Sequence, residues 1–318
     1  MKTQPTHSAS GYTLSGLLPA VLFLFAGACE RPELGQAEVP EPYEPYIEEW
    51  VTQHIESLKA PTGWMRLAGM YILDEGENTF GSGNRVHVPL ADEALPAEAG
   101  TITLTDGVVT LNPRNDVHLL ADGEPVRGAT TIFADGEESI ITHNHLEWFV
   151  IKRQDIYAIR VFNKENEKVD RFEGFPRYDT DSKWRLKAYF EPHPENTTIP
   201  IANVIGQVIE TPSPGSLTFQ FGGERYTIDA IQSSEQLFLI IGDETNRTET
   251  YQAGRYMYVD YPDDDGYTVI DFNKIYNPPC SYNLFTTCEL PPVQNRLRLA
   301  IEAGEKRPVG WTGQEIEL

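Results

Sequence analysis

The chain has 318 residues, and its 48 Asp and Glu against 25 Lys and Arg give a formal charge of −23. A surface this acidic repels phosphate backbones and anionic headgroups, which argues against nucleic acid as a partner and against direct headgroup binding. It reads either as a solubility device or, in part, as a cation-binding patch. With 40% hydrophobic and 11% aromatic residues there is enough apolar material for one large core or two smaller ones.

Residues 1–28 have the layout of a secretory signal: Lys2 ahead of the apolar stretch, a short run from Leu14 to Phe25, then small residues. The run is shorter than the roughly 20 apolar residues that a spanning helix needs. Ala26-Gly27-Ala28-Cys29 resembles the lipobox of bacterial lipoproteins, with Ala26 where that box prefers Leu. The resemblance implies cleavage before Cys29 and a lipid on its thiol; an ordinary cleaved signal and an uncleaved anchor are the alternatives. Glu30 rather than Asp follows, so the inner-membrane retention mark is absent. The expected address is therefore the cell envelope, on the periplasmic face of the outer membrane if the cell has one. Residues 29–45, rich in Pro and Glu, read as a solvated tether.

From Glu44 to Leu58 the apolar residues Ile47, Trp50, Val51, Ile55 and Leu58 recur at helical spacing, and Pro61 and Gly63 end the run. Short alternating stretches follow at Thr101 to Leu104, Val108 to Leu111, Thr130 to Phe133, Leu146 to Ile151 and Tyr157 to Phe162. Asp106-Gly107, Asp122-Gly123 and Asp135-Gly136 punctuate them, and Asp-Gly supplies the positive φ angles of tight hairpins. Residues 46–163 therefore read as a helix followed by a β-sandwich lobe.

The charged loop from Lys164 to Lys183, with Gly174 and Pro176, marks a boundary to a second lobe over 164–318. Strands are expected at Trp184 to Phe190, Asn203 to Ile209, Ser216 to Phe221, Tyr226 to Ile231 and Leu237 to Ile241. A further pair, Arg255 to Val259 and Tyr267 to Phe272, flanks an acidic turn. After Pro291-Pro292 a short helix is expected through Leu297, Ala300 and Ile301, ended by Gly304. The fold class is mainly β, two β-rich lobes with a short helix near each end. No βαβ alternation, glycine-rich phosphate loop or Gly-x-Ser-x-Gly elbow occurs, so no cofactor and no serine chemistry are expected.

Thr250-Tyr251, Gly254-Arg255-Tyr256, Asp271-Phe272-Asn273, Tyr276-Asn277-Pro278-Pro279-Cys280, Thr287-Cys288, Pro291-Pro292, Asn295 and Ala303-Gly304-Glu305 together form a distinctive C-terminal pattern. It resembles the signature of an uncharacterised bacterial family of domains of unknown function, the 1684 family. Glu289 departs from the Pro usual there, and family membership implies no activity. The N-terminal half is also similar to a forkhead-associated sandwich, with Gly76 to Gly81 leading into strands and Asp122-Gly123-Glu124-Pro125-Val126 in place of that fold's Asn-Gly-x-x-Val turn. Ser82 stands near the place of the phosphothreonine-reading Arg, and no Ser-x-x-His follows. That departure argues against phosphopeptide binding.

His143, His145 and Glu147 alternate, so on a strand they share one face; a solvated face is preferred to a metal site, and no metal is assigned. Arg255, Asp271, Asn273, Asn277, Asn295 and Glu305 crowd into a stretch largely made of turns, where a scaffold can hold a site. They are the candidate ligand-binding set, and Arg255 clamping Asp271 while Asn277 caps the Pro-Pro turn is the structural alternative. Cys280 and Cys288 are the thiols left once Cys29 carries lipid, and a disulfide is favoured over thiol chemistry or a metal site in an oxidising compartment. The preferred function is an envelope lipoprotein binding a small polar ligand or an envelope partner through the C-terminal lobe. The rival is a hydrolase of an extracytoplasmic substrate with Asp271, Glu305 and Arg255 as acid, base and anion clamp.

Overall fold

The computed structural model describes residues 33–310, so the stretch read as an export signal and Cys29 lie outside the described residues. The predicted helix forms over Tyr43–Lys59 (α1), burying Ile47 and Leu58. Two six-stranded antiparallel-rich sheets follow. One contains Gly76–Gly81, Gly100–Thr105, Val108–Pro113 and Thr130–Ala134; the other contains Leu67–Ile72, Leu146–Arg153 and Ile156–Asn163. Phe80, Ile102 and Leu111 from the first share a core with Trp148, Val150 and Ile159 from the second. Inward and outward residues alternate along each strand, as a sandwich requires. The three Asp-Gly pairs make the expected turns: Asp106, Asp122 and Asp135 take φ of 49°, 51° and 54°, and the following glycines are also positive.

The C-terminal part is a seven-stranded sheet. Arg185–Pro192 pairs with Gly215–Phe221 and the short strand Gly35–Gln36 on one edge and with Tyr267–Asp271 on the other, so this part of the expected tether is laid into the sheet. From Gly215–Phe221 the order runs on through Glu224–Gln232 and Gln236–Ile241 to Arg255–Asp260. The sheet curls until its end strands, Arg255–Asp260 and Tyr267–Asp271, lie side by side. They are tied near the turn by the Thr268 hydroxyl donating to the Asp260 carbonyl at 2.9 Å. At the other end Tyr256 and Tyr276 exchange two backbone hydrogen bonds of 2.9 Å. Among the described residues no ladder joins the two strands between these ties. Leu217, Phe219, Ile228, Leu239, Met257 and Ile270 fill the interior.

Three expectations need correction. Asn203 to Ile209 is not one strand: Thr198–Ala202 and Val208–Pro212 are separate strands, and the Asn203 side chain accepts the N–H groups of Ile205 and Gln207 to make the turn between them. No helix forms after Pro291-Pro292 beyond the single 3₁₀ turn Val293–Asn295. Leu297, Leu299, Ile301 and Ala303 are instead buried at every second residue, as extended chain laid against the core. Leu297, Ala300 and Ile301 fit a helical spacing, but the period the core selects is two. His143 and Glu147 are not on one strand either, because Asn144 takes φ 49° and starts the turn of a hairpin between them. Among the described residues no cluster of three or more His, Cys, Asp or Glu could hold a metal.

Candidate functional site

One face of α1 does not enter the core. Tyr46, Trp50, Gln53, His54 and Ser57 recur at helical spacing along it and form one wall of a groove of about 1270 Å³. Tyr256, Tyr258, Asp260, Tyr267, Val269 and Asp271 from the two end strands form the opposite wall. Trp64, Arg153 and Arg160 line it from the side of the N-terminal sandwich. The groove thus lies over the unpaired seam of the curled sheet. Lys274 donates to the Tyr46 hydroxyl at 2.6 Å and sits 4.1 Å from that ring's centroid, and Lys187 sits 3.9 Å from the Tyr267 centroid. Cations over ring faces are favourable when partly desolvated. The lining mixes these aromatic rings with five basic and five acidic side chains, so the surface it offers is polar as well as aromatic.

At the floor, His54 stacks flat on Trp50 with centroids 5.2 Å apart and meets Tyr276 at 4.8 Å. Its Nε2 is 3.6 Å from Glu305 Oε1. Glu305 is fully buried, and its Oε2 accepts the Asn277 N–H at 2.8 Å and the Asn277 Nδ2 at 3.0 Å. Burial pushes the Glu305 carboxyl up to about 7; the Asn277 bonds and the Arg177 and Arg255 charges offset this only in part. Burial and the nearby Arg177 hold His54 down, at about 4. Gly304 allows the arrangement: its φ is +67°, and a Cβ there would stand 2.3 Å from the Ile275 carbonyl.

The six residues expected to form the site are split among separate networks. Arg255 is wholly buried and pairs with Asp243 at 2.9 Å, not with Asp271. Its other bonds go to the carbonyls of Ile301, Ala303 and Glu305 at 2.8, 2.6 and 3.1 Å. The guanidinium therefore holds the extended C-terminal segment in place. Asp271 pairs with Arg185 at 3.0 Å and accepts the Tyr43 hydroxyl at 2.9 Å, which locks the start of α1 to the sheet. Burial, and then the Asp271 charge, raise the Tyr43 hydroxyl well above its ordinary value. Asn273 Nδ2 donates to Tyr43 Oη and to the Asp181 carbonyl, at 2.9 and 3.0 Å. Asn277 serves Glu305 and the Lys306 carbonyl rather than the Pro-Pro turn. Asn295 accepts the Asp229 N–H and donates to the Asp229 and Ile240 carbonyls, far from the others in its bonding. Of the six, Asp271 alone lines the groove; Glu305 lies beneath it through His54.

Cys280 and Cys288 carry free thiols set against each other. The Cys280 N–H donates to Cys288 Sγ at 3.0 Å, and the Cys288 N–H donates to Cys280 Sγ at 3.1 Å. Cys280 is lowered to about 7, chiefly by the hydrogen bond from the Cys288 thiol, with the Thr286 hydroxyl and the Cys288 N–H adding. Cys288, which lines the groove, is raised by that same bond and by burial.

Residues 170–306 match the profile of a family described as a protein of unknown function (DUF1684). No curated protein matches the sequence. Among solved structures, the solution structure of an uncharacterized protein from Haloarcula marismortui is 28% identical, with a TM-score of 0.37, covering 45% of this chain and 80% of that one. The FHA domain of FhaA, solved with the intracellular domain of Rv3910, is 20% identical with a TM-score of 0.21, covering 29% of this chain and 96% of that one. An Rv0020c FHA structure is 21% identical with a TM-score of 0.21, covering 30% and 94%.

Proposed function

We propose, from the match of residues 170–306 to the DUF1684 family of proteins of unknown function and from the groove, that the chain is an exported envelope lipoprotein that binds a small polar ligand beside α1. The observation that supports this most is the groove face of the helix: Tyr46, Trp50 and His54 lie on the side of α1 turned away from the core. Tyr46 and Trp50 are only half-buried there, which leaves ring surface open to the groove. The ligand seat is thus moved from the turn residues to the groove, while Arg255, Asn273, Asn277 and Asn295 act as its frame. In the same reading a lipid on Cys29 tethers the protein, and Cys280 and Cys288 are joined once it reaches an oxidising compartment.

The test is ligand-observed NMR with a small-molecule extract of the producing cell's envelope, comparing the wild type with Trp50→Ala. Compounds whose signals broaden with wild type and recover with the variant support the groove. Equal broadening by both proteins places binding elsewhere.

One observation favours the hydrolase reading as a second choice. His54 Nδ1 has no hydrogen-bond partner among the described residues, while Nε2 faces the Glu305 carboxyl. A carboxylate facing a histidine at 3.6 Å, closing to hydrogen-bond distance when a substrate binds, is an arrangement suited to general-base work on a bound water. Arg255 has no part in it, being sealed in its own network. This reading expects p-nitrophenyl acetate hydrolysis that rises with an apparent pKa of about 7 and is lost in His54→Gln; no turnover above that of the variant removes it.

A further inference from the structure

We propose that Arg153 and Arg160 form an oxyanion seat at the sandwich end of the groove, taking a carboxylate or phosphate carried by the ligand; this rests on the groove being the binding site. The two residues come from the paired strands Leu146–Arg153 and Ile156–Asn163, and both line the groove. The Arg160 guanidinium lies over the Trp64 ring, 5.1 Å from its centroid, and Trp64 lines the same space. Arg160 Nε is buried and has no hydrogen-bond partner.

The arginines elsewhere in the interior are treated differently. Arg255 has Asp243, Arg185 has Asp271 and Arg66 has Asp170, at 2.9, 3.0 and 2.5 Å. Even Arg177 has Glu305 at 3.9 Å. Among the described residues neither Arg153 nor Arg160 has a carboxylate within 4.0 Å. Glu147, which shares a small adjoining cavity with Arg160, is taken by Lys164 at 3.4 Å. In a chain of formal charge −23, an intramolecular acid for a half-buried guanidinium would be easy to supply. Burial disfavours the charge on Arg160, and Arg153 disfavours it further. An anion between the two relieves both effects. A guanidinium presents paired N–H donors in a plane that match a carboxylate or phosphate edge, so two arginines on one face of the paired strands, one of them seated over Trp64, make a directional seat and not a diffuse patch.

The test follows the arginine Nε–Hε signals of the full-length chain while inorganic phosphate, and separately acetate, is added at constant ionic strength against chloride. Saturable shifts of Arg153 and Arg160 with millimolar midpoints are expected, lost at least tenfold in Arg160→Gln and weakened in Arg160→Lys. Tighter phosphate than acetate assigns a phosphoryl ligand, and the reverse order a carboxylate. If Arg160→Gln fails to fold, Arg153→Gln, whose side chain is exposed, carries the same comparison. Arg171→Gln, outside the groove and paired with Glu167, should leave the anion shifts intact, which separates this seat from general screening by the added anion. Shifts that do not saturate, or that persist unchanged in the glutamine variants, overturn the proposal.

Discussion

His54 Nε2 and Glu305 Oε1 stand 3.6 Å apart beneath the groove, and burial drives the two side chains to opposite protonation habits: the imidazole to about 4 and the carboxyl to about 7. Around pH 5.5 the folded chain holds a neutral histidine beside a protonated carboxyl. The unfolded chain holds the reverse pair. Each carries one proton, so folding moves it from nitrogen to oxygen with no net uptake.

That balance has a pH signature. Glu305 is raised, so its contribution to stability is present below its unfolded value and is lost as pH rises toward about 7. His54 is lowered, so its contribution is present above its unfolded value and is lost as pH falls toward about 4. Between pH 4.5 and 6.5 the slopes oppose, each at most about 1.4 kcal/mol per pH unit. Relative to wild type, Glu305→Gln should gain stability with rising pH in that window and His54→Phe should lose it. Urea midpoints measured at three pH values decide the matter; parallel profiles for all three proteins would show that the pair is not coupled to folding.

Arg255→Ala should cost about 3 to 5 kcal/mol, because it leaves Asp243 buried without its counter-ion. It also frees three carbonyls of the C-terminal segment. Asp271→Asn should cost less, since Tyr43 and Asn273 can still bond to the amide. Equilibrium unfolding gives both numbers, and an Arg255→Ala protein within about 1 kcal/mol of wild type contradicts the clamp.

Changing Cys29 to Ser should move the protein from the membrane pellet to the soluble fraction, the apolar run being too short to anchor it as a spanning helix. Equal pelleting of the variant removes the lipid anchor from the account.

Intact-mass measurement of the exported protein without reductant should find it two hydrogens lighter than after reduction, with Cys280 and Cys288 joined. Two thiols that alkylate freely leave Cys280, already lowered to about 7, as the more reactive of the pair.

Where the local chemistry decides the geometry, the sequence could be read. Asp-Gly turns require positive φ, and Asp106, Asp122 and Asp135 take it. The helix expected from Glu44 to Leu58 becomes α1, within a residue at each end. The failures lie where a tertiary partner chooses between local options. Leu297 and Ile301 fit either period, and the core selects the extended one. Arg255 was expected to clamp Asp271, but the hairpin that pairs it with Ile241 sets it beside Asp243 instead. His54 carried no signal at all, as a single histidine on an amphipathic helix; its meaning depends on Glu305, 251 positions later, passing under it.

The groove's walls come from distant parts of the gene. Tyr46, Trp50 and His54 precede the segment that carries the family pattern, as do Trp64, Arg153 and Arg160, while Tyr256, Tyr258 and Asp271 lie inside it. A fragment confined to 170–306 would keep the curled sheet's end strands but present them as a bare surface, with Tyr276 and Glu305 stripped of the helix that covers them. A ligand taken by the proposed groove would meet residues from α1 onward, so relatives that share the C-terminal segment without these upstream residues would lack most of that wall.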